Sequence, residues 1–463
     1  MTMIPAADPA RTRRLGVALL GGLALLLAGG FAVWAAEALG TKALALPIAL
    51  AAGMALLLNP FWPLFLLVIS VPVDALFNRI FDPLPVSAAT ALTLLTLGAL
   101  LLRLPREPRQ ERLLPDDPTL RWTLAFAVAL AISALLAQDR DVAYEDAGRL
   151  GGQLLMMLLI VRIVRTPRDM RILLFGLAAA ALFSALVVIF ETETGIRLLS
   201  RTGGFARSRG ASDQNPTTAA LMQTFGVTMA LALGLSYARG RLLTLSAGIL
   251  GILGIFLSYA RSASLTVAAV TLLIAWHHRR SRYFPLGAIL AMGALVAMVP
   301  MIPDTFWNRL AALGNFDTDM TLWRRVGYNL IGLDLVAQHP LFGIGPGNFP
   351  QVYMDPQYRY MPGRTLEPRD LHNMYLGVAA ELGLVGLATF LGVIASGIIR
   401  LLRRTAHCTD PTARAFATAL LFGSLAYYVG SLVTPAQYVK FTWVLVGLAV
   451  AQARLMEPRR DGQ

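Results

Sequence analysis

The sequence predicts an all-α polytopic membrane protein with about 12 transmembrane helices (12 to 14) and one large ordered external loop. Three observations predict it. Of 463 residues, 56% are hydrophobic and only 14% charged. Mean hydropathy is +0.61, far from a soluble globular composition. Apolar runs long enough to cross a bilayer, roughly 20 residues as helix, recur almost from end to end.

The first run, 15–36, follows Arg11, Arg13 and Arg14 and is longer than a signal-peptide core, so it reads as an uncleaved first helix. Further runs lie near 42–58, 60–75, 86–102, 120–137, 146–164, 170–190, 217–237, 242–258, 262–277, 284–300, 375–399, 413–432 and 438–454, fourteen in all. The pair 42–58 and 60–75 is short and joined only by Asn59-Pro60. It reads as one kinked or re-entrant element, which leaves twelve.

Arginines set the register. With the N-terminus in the cytoplasm, the inside connections carry Arg103, Arg106, Arg109 and Arg112, then Arg162, Arg165, Arg168 and Arg171, then Arg239 and Arg241. The series continues with Arg279, Arg280 and Arg282, then Arg400, Arg403 and Arg404, and ends with Arg454, Arg459 and Arg460. Both termini are therefore expected in the cytoplasm, with segments 191–216 and 301–371 outside. The chain divides into N-terminal helices (1–300), the loop or lid (301–371), within which 322–337 reads as helix, and C-terminal helices (372–463).

The net charge of +13 is spent on this topology, so no nucleic-acid partner is expected. A single cysteine, Cys408, excludes a disulfide framework and a multi-cysteine metal site. No histidine, cysteine or carboxylate cluster has metal-ligand spacing; Asp317-Thr318-Asp319 is a lone acidic pair of the solvated kind. No cofactor is expected.

Of five histidines, only His339 and His372 bracket the external segment. His372 stands where that segment enters the next span, with an ordinary pKa near 6.5 that lets it take a proton at neutral pH; the alternative is an interfacial or capping histidine. External arginines oppose the positive-inside bias. They cluster as Arg207 and Arg209 in a glycine-rich stretch and Arg261 after Ser258-Tyr259-Ala260. Their fork of donors suits phosphate oxygens, and snorkelling to phospholipid headgroups is the alternative. Arg324 and Arg325 read as a solvated helix face. Gly343-Ile344-Gly345-Pro346-Gly347-Asn348 lacks the lysine and the strand context of a nucleotide loop and reads as a turn packed closely on a helix.

These residues resemble a family, the bacterial O-antigen ligases, within the wider superfamily of O-antigen polymerases and protein O-oligosaccharyltransferases. His372-Asn373, nine residues, Gly383, two residues, Gly386 is similar to its histidine motif. The stretch from His339-Pro340-Leu341 to Gly347-Asn348-Phe349 resembles its periplasmic-loop element, Arg261 with Leu265 its arginine-leucine element, and Arg207 through Asn215-Pro216 its arginine-glycine stretch. The resemblance covers about 190–400. It implies transfer of a glycan from undecaprenyl pyrophosphate to a hydroxyl of the lipid A core, at the periplasmic face of the inner membrane and without metal. His372 would be the general base. Arg207 or Arg209, together with Arg261, would neutralise the pyrophosphate, with His339 and Asn373 as further substrate-binding candidates. Alternatives are an O-antigen polymerase, then a protein O-oligosaccharyltransferase or a transporter of lipid-linked glycan.

Overall fold

The computed structural model describes residues 53–81, 87–103, 117–199, 207–281 and 320–457, with single positions between 284 and 311. The expected first helix (15–36), most of the 284–300 span, Asp317 and Asp319, and Arg106, Arg109, Arg112, Arg282, Arg459 and Arg460 lie outside the described residues. The described residues contain no strand.

The helices are α1 (Phe61–Ser70), α2 (Asp74–Phe81), α3 (Ala88–Arg103), α4 (Pro118–Leu135), α5 (Arg140–Ile163), α6 (Pro167–Thr194) and α7 (Pro216–Ser236). They continue with α8 (Arg241–Leu257), α9 (Arg261–His277), α10 (Met320–Gln338), α11 (Phe349–Tyr353), α12 (Met374–His407), α13 (Pro411–Gly430) and α14 (Lys440–Leu455). Local chemistry sets many starts. Asp117, Thr166, Asn215 and Asp410 each cap a helix whose next residue is proline, where the missing N–H costs nothing.

Among the described residues, five helices are long and apolar enough to cross a membrane: α4, α6, α7, α12 and α13 with its short extension to Val433. A sixth crossing results if α1 and α2 are taken as one span, but they are bent by 118°. That bend adds a second break to the expected one. The 118° turn falls at Val71-Pro72-Val73, where Pro72 interrupts the amide ladder and Asp74 at the start of α2 accepts the Asp213 amide at 2.8 Å, and the chain also leaves helical form at Asn59-Pro60, just before α1. The helices α3 and α8 are apolar but shorter, with 16 and 17 residues. The count of twelve thus rested partly on runs shorter than a full crossing and partly on residues outside those described.

Helices α7 and α8 both pack on α6, and small residues set how closely. A Cβ on Gly226 would stand 2.7 Å from Cβ of Ala181, and one on Gly254 would stand 3.2 Å from Cα of Ala185. Across the bundle, Phe126, Phe390 and Trp443 join α4, α12 and α14 with ring centroids 5.3 to 5.8 Å apart.

The two ends of the bundle differ in chemistry. At one end Arg400 pairs with Asp117 and Glu457, Arg454 donates to the Val161 carbonyl at 2.7 Å, and Ser236 meets His278 at 3.2 Å. The other end carries the turns at 195–199, 207–215 and 258–260, the start of α12, and a layer made by 320–371. That layer has a core of its own, built from Tyr328, Ile331, Leu335, Phe349, Tyr353 and Leu371 with neighbours. Within it α10 replaces the expected 322–337 helix almost residue for residue.

Candidate active site

Helix α12 has 34 residues, about 51 Å at 1.5 Å per residue, well beyond the roughly 30 Å hydrocarbon core of a bilayer. Gly383 divides it, with φ 70° and ψ −176° inside an otherwise continuous helix. The first piece is a short stub that begins at the residue after the Asn373 cap.

Asn373 Oδ1 accepts the amides of Tyr375 and Leu376, each at 3.1 Å, so its side-chain oxygen fixes where α12 starts. The residue before it, His372, is half-buried and stacks on Tyr328 with centroids 5.2 Å apart and planes at 28°. Its Nδ1 lies 2.9 Å from the Asp370 carbonyl. A carbonyl only accepts, so Nδ1 carries the proton and Nε2 is left with its lone pair. Burial lowers the imidazole pKa below its ordinary value, partly opposed by the Asp370 carbonyl, while Arg325 and Arg369 push in the same direction as burial. The ring is therefore neutral at pH 7, the state a general base requires. Arg324 and Arg325 are themselves half-buried, not a solvated face, because α10 turns that side toward the 360s segment.

The break at Gly383 is filled by the loop between α10 and α11. Amides of Ile344 and Gly345 donate to the carbonyls of Ala380 and Glu381, at 3.1 and 2.9 Å. In return the amides of Leu384 and Val385 donate to the carbonyls of Pro340 and Leu341, at 2.8 and 3.3 Å. A side chain on Gly383 would overlap the Leu341 carbonyl, and one on Gly343 would overlap Glu381. Glycines of two separate motifs are thus two halves of one joint, as expected for a turn packed closely on a helix. Asn348 finishes it by accepting the Asp139 amide at 2.8 Å and donating to the Asp139 carbonyl at 3.1 Å, which ties the joint to the α4–α5 turn.

Sequence reasoning missed Glu381. It is buried in the joint, accepts Tyr438 Oη at 2.6 Å, and Tyr438 Oη in turn accepts the Gly347 amide at 2.7 Å. A lone carboxylate in the apolar run Ala379-Ala380-Glu381-Leu382 was the signal. Glu191 was missed in the same way. It organises the outer arginine loop by accepting Ser208 Oγ at 2.7 Å, the Leu198 amide at 2.9 Å and Arg197 Nη1 at 3.1 Å.

The two arginine elements expected outside meet. Arg207 Nη1 donates to the Tyr259 carbonyl at 3.3 Å. Tyr259 has φ 55°, the one positive value for a non-glycine among the described residues, and the strained turn it makes delivers Arg261 to the first position of α9. No side chain caps that helix start. A guanidinium at the positive end of a helix dipole is unfavourable on its own, and the combination attracts an anion. Arg209 differs: it is 7% exposed and donates within its own loop, to the Asp213 carbonyl at 3.2 Å.

His372 lies on the same end of the bundle. Tyr375 Oη, from the second residue of α12, donates to the Tyr428 carbonyl at 2.8 Å, and Gly430 at the end of α13 lies against Leu221 of α7 and Thr266 of α9. His339 stands apart. It follows α10 directly, eleven residues beyond Tyr328 and so about 16 Å along the axis. Its place is beside the joint, not beside His372. Among the described residues no group of three or more histidine, cysteine or carboxylate side chains is arranged to hold a metal.

Residues 246–391 match the family model described as O-antigen ligase. The matched stretch contains Arg261, His339, the glycine joint and His372, and supports the superfamily to which the motif resemblance pointed; Arg207 and Arg209 precede it. A search of curated proteins finds no match.

Proposed function

We propose that the protein is an O-antigen ligase of the bacterial inner membrane, multi-pass with both termini cytoplasmic, working at its periplasmic face. Its donor is a glycan on undecaprenyl pyrophosphate and its acceptor a hydroxyl of the lipid A core, both drawn from among the surrounding membrane lipids. The observation that carries this reading is His372, whose Nδ1 proton is held by the Asp370 carbonyl and whose Nε2 is basic, on the bundle end where Arg207 is bonded to the Tyr259 carbonyl, two residues before Arg261.

In the proposed reaction the acceptor hydroxyl attacks the anomeric carbon as Nε2 of His372 takes its proton, and the bond from that carbon to the pyrophosphate oxygen breaks. One displacement inverts the anomeric centre. The leaving group is already a stable dianion or trianion, so it needs charge neutralisation more than a proton. Arg207, Arg261 and the uncapped start of α9 supply that charge. General base help of this kind contributes roughly 10²- to 10⁴-fold. The matched family model supports the donor and acceptor classes.

The test is a transfer assay with purified protein, lipid-linked glycan and lipid A-core, run in EDTA beside His372→Ala. A glycan-shifted lipid A-core, lost in the variant, is the expected result. A lengthened lipid-linked glycan with unmodified core would make the protein a polymerase.

A further inference from the structure

We infer that a cavity between α2, the outer arginine loop and the start of α14 is a carbohydrate subsite that takes one sugar ring of a substrate; this deepens the transferase reading and rests on it. The cavity measures about 230 Å³, several times the roughly 30 Å³ of a water molecule.

Its wall combines charged and amide side chains with apolar ones such as Val71, Met222 and Val439. Asp74 and Asn78 face it from α2, Asp213 and Gln214 from the arginine loop, and Lys440 from α14, with the Phe77 ring among them. The frame is preformed. Asp74 accepts the Asp213 amide at 2.8 Å and Gln214 Nε2 at 3.2 Å, Asn78 Nδ2 donates to Asp213 Oδ2 at 2.8 Å, and the Ala75 amide donates to the Ala211 carbonyl at 3.1 Å.

This chemistry selects. Two carboxylates repel a phosphate, and the charged side chains of Asp74, Asp213 and Lys440 in the wall disfavour a wholly apolar acyl chain. A polyol fits both: its hydroxyls donate to carboxylate oxygens and accept from lysine and amide N–H groups, while the apolar face of its ring covers an aromatic side chain. Position narrows the source. Arg207 and Asp213 lie on one short loop, and Arg209 braces Asp213 by donating to its carbonyl at 3.2 Å. A sugar attached to a pyrophosphate held by Arg207 is therefore the expected occupant, and an acceptor sugar is the other source of the same chemistry.

Ala89 of α3 lines the cavity and takes no part in the hydrogen-bonded frame, so Ala89→Trp is the variant that fills the space. Saturation-transfer NMR of the full chain in nanodiscs, with free glucose and N-acetylglucosamine as probes, should show contact in the wild type and its loss in Ala89→Trp. In the transfer assay the KM for glycan donor should rise about tenfold, the effect of losing one or two hydrogen bonds. The KM for acceptor and the affinity for glycan-free undecaprenyl pyrophosphate should hold. Lys440→Met, a milder change, should act in the same direction if Ala89→Trp fails to fold. A raised acceptor KM would assign the subsite to the acceptor sugar. Equal sugar contact in wild type and variants, or unchanged KM for both substrates, would overturn the subsite. A wild type that transfers nothing defeats the transferase reading alone, and the NMR comparison still decides the cavity.

Discussion

The amide of Leu384 donates to the carbonyl of Pro340 at 2.8 Å, across a gap in α12 that the helix cannot close by itself. A break inside a helix strands amides and carbonyls, and at bilayer depth each stranded group is costly. Here the 320–371 layer supplies the partners, so the stub that begins beside His372 is held by the same hydrogen bonds that dock the layer.

Gly383→Ala should therefore lower both stability and transfer. The left-handed φ alone costs about 1–3 kcal/mol for a non-glycine residue, before the overlap with Leu341. Thermal melts of the purified variant check this; a wild-type melting temperature would mean that the layer does not depend on the joint.

Tyr438→Phe removes the hydroxyl that links Glu381 to the Gly347 amide. Leaving buried polar groups without this partner should destabilise by about 1–3 kcal/mol. The expected readout is faster proteolysis within 340–371, with loss of transfer proportional to the cleaved fraction.

His372→Ala should insert normally and transfer almost nothing. In the wild type, burial holds the imidazole below its ordinary 6.5, so the neutral base persists down to mildly acidic pH and is lost only as pH falls through that lowered value. The acid limb of kcat/KM should thus lie below pH 6.5. A limb above 6.5 would assign the titration to another group.

Arg207 and Arg209 should separate. Arg207→Lys and Arg261→Lys should fold and lose most transfer, since a point charge cannot reproduce the guanidinium fork. Arg209→Ala should instead lower the melting temperature, because this buried residue holds its own loop through Asp213. Equal loss of transfer with unchanged melting in Arg209→Lys would move it to the substrate.

Asn373→Ser should be close to wild type and Asn373→Ala weaker by about 0.5–2 kcal/mol, the value of an N-cap. A transfer defect in the serine variant, with stability intact, would give the amide group a direct role with substrate.

Much of the fold was legible because membranes impose few rules. Apolar runs announced α4, α6, α7, α12 and α13, and the arginine register sorted Arg162, Arg239, Arg279 and Arg400 from Arg207, Arg261 and His372, which is how the bundle ends divide. Local rules failed where a contact came from far away. The bend at Pro72 is stabilised by Asp213, and Glu381 is held by Tyr438, 57 residues on.

Sequence alone determined the class of the molecule, the residue types facing one end of it, and the motif glycines, because hydropathy, charge and missing side chains are properties of single positions. Tertiary structure alone decided that Gly343 and Gly383 form one joint, that Arg207 is anchored on the Tyr259 carbonyl two residues before Arg261, and which nitrogen of His372 is basic. Those are relations between groups distant in the chain, and only the closed hydrogen bonds of a folded backbone define them.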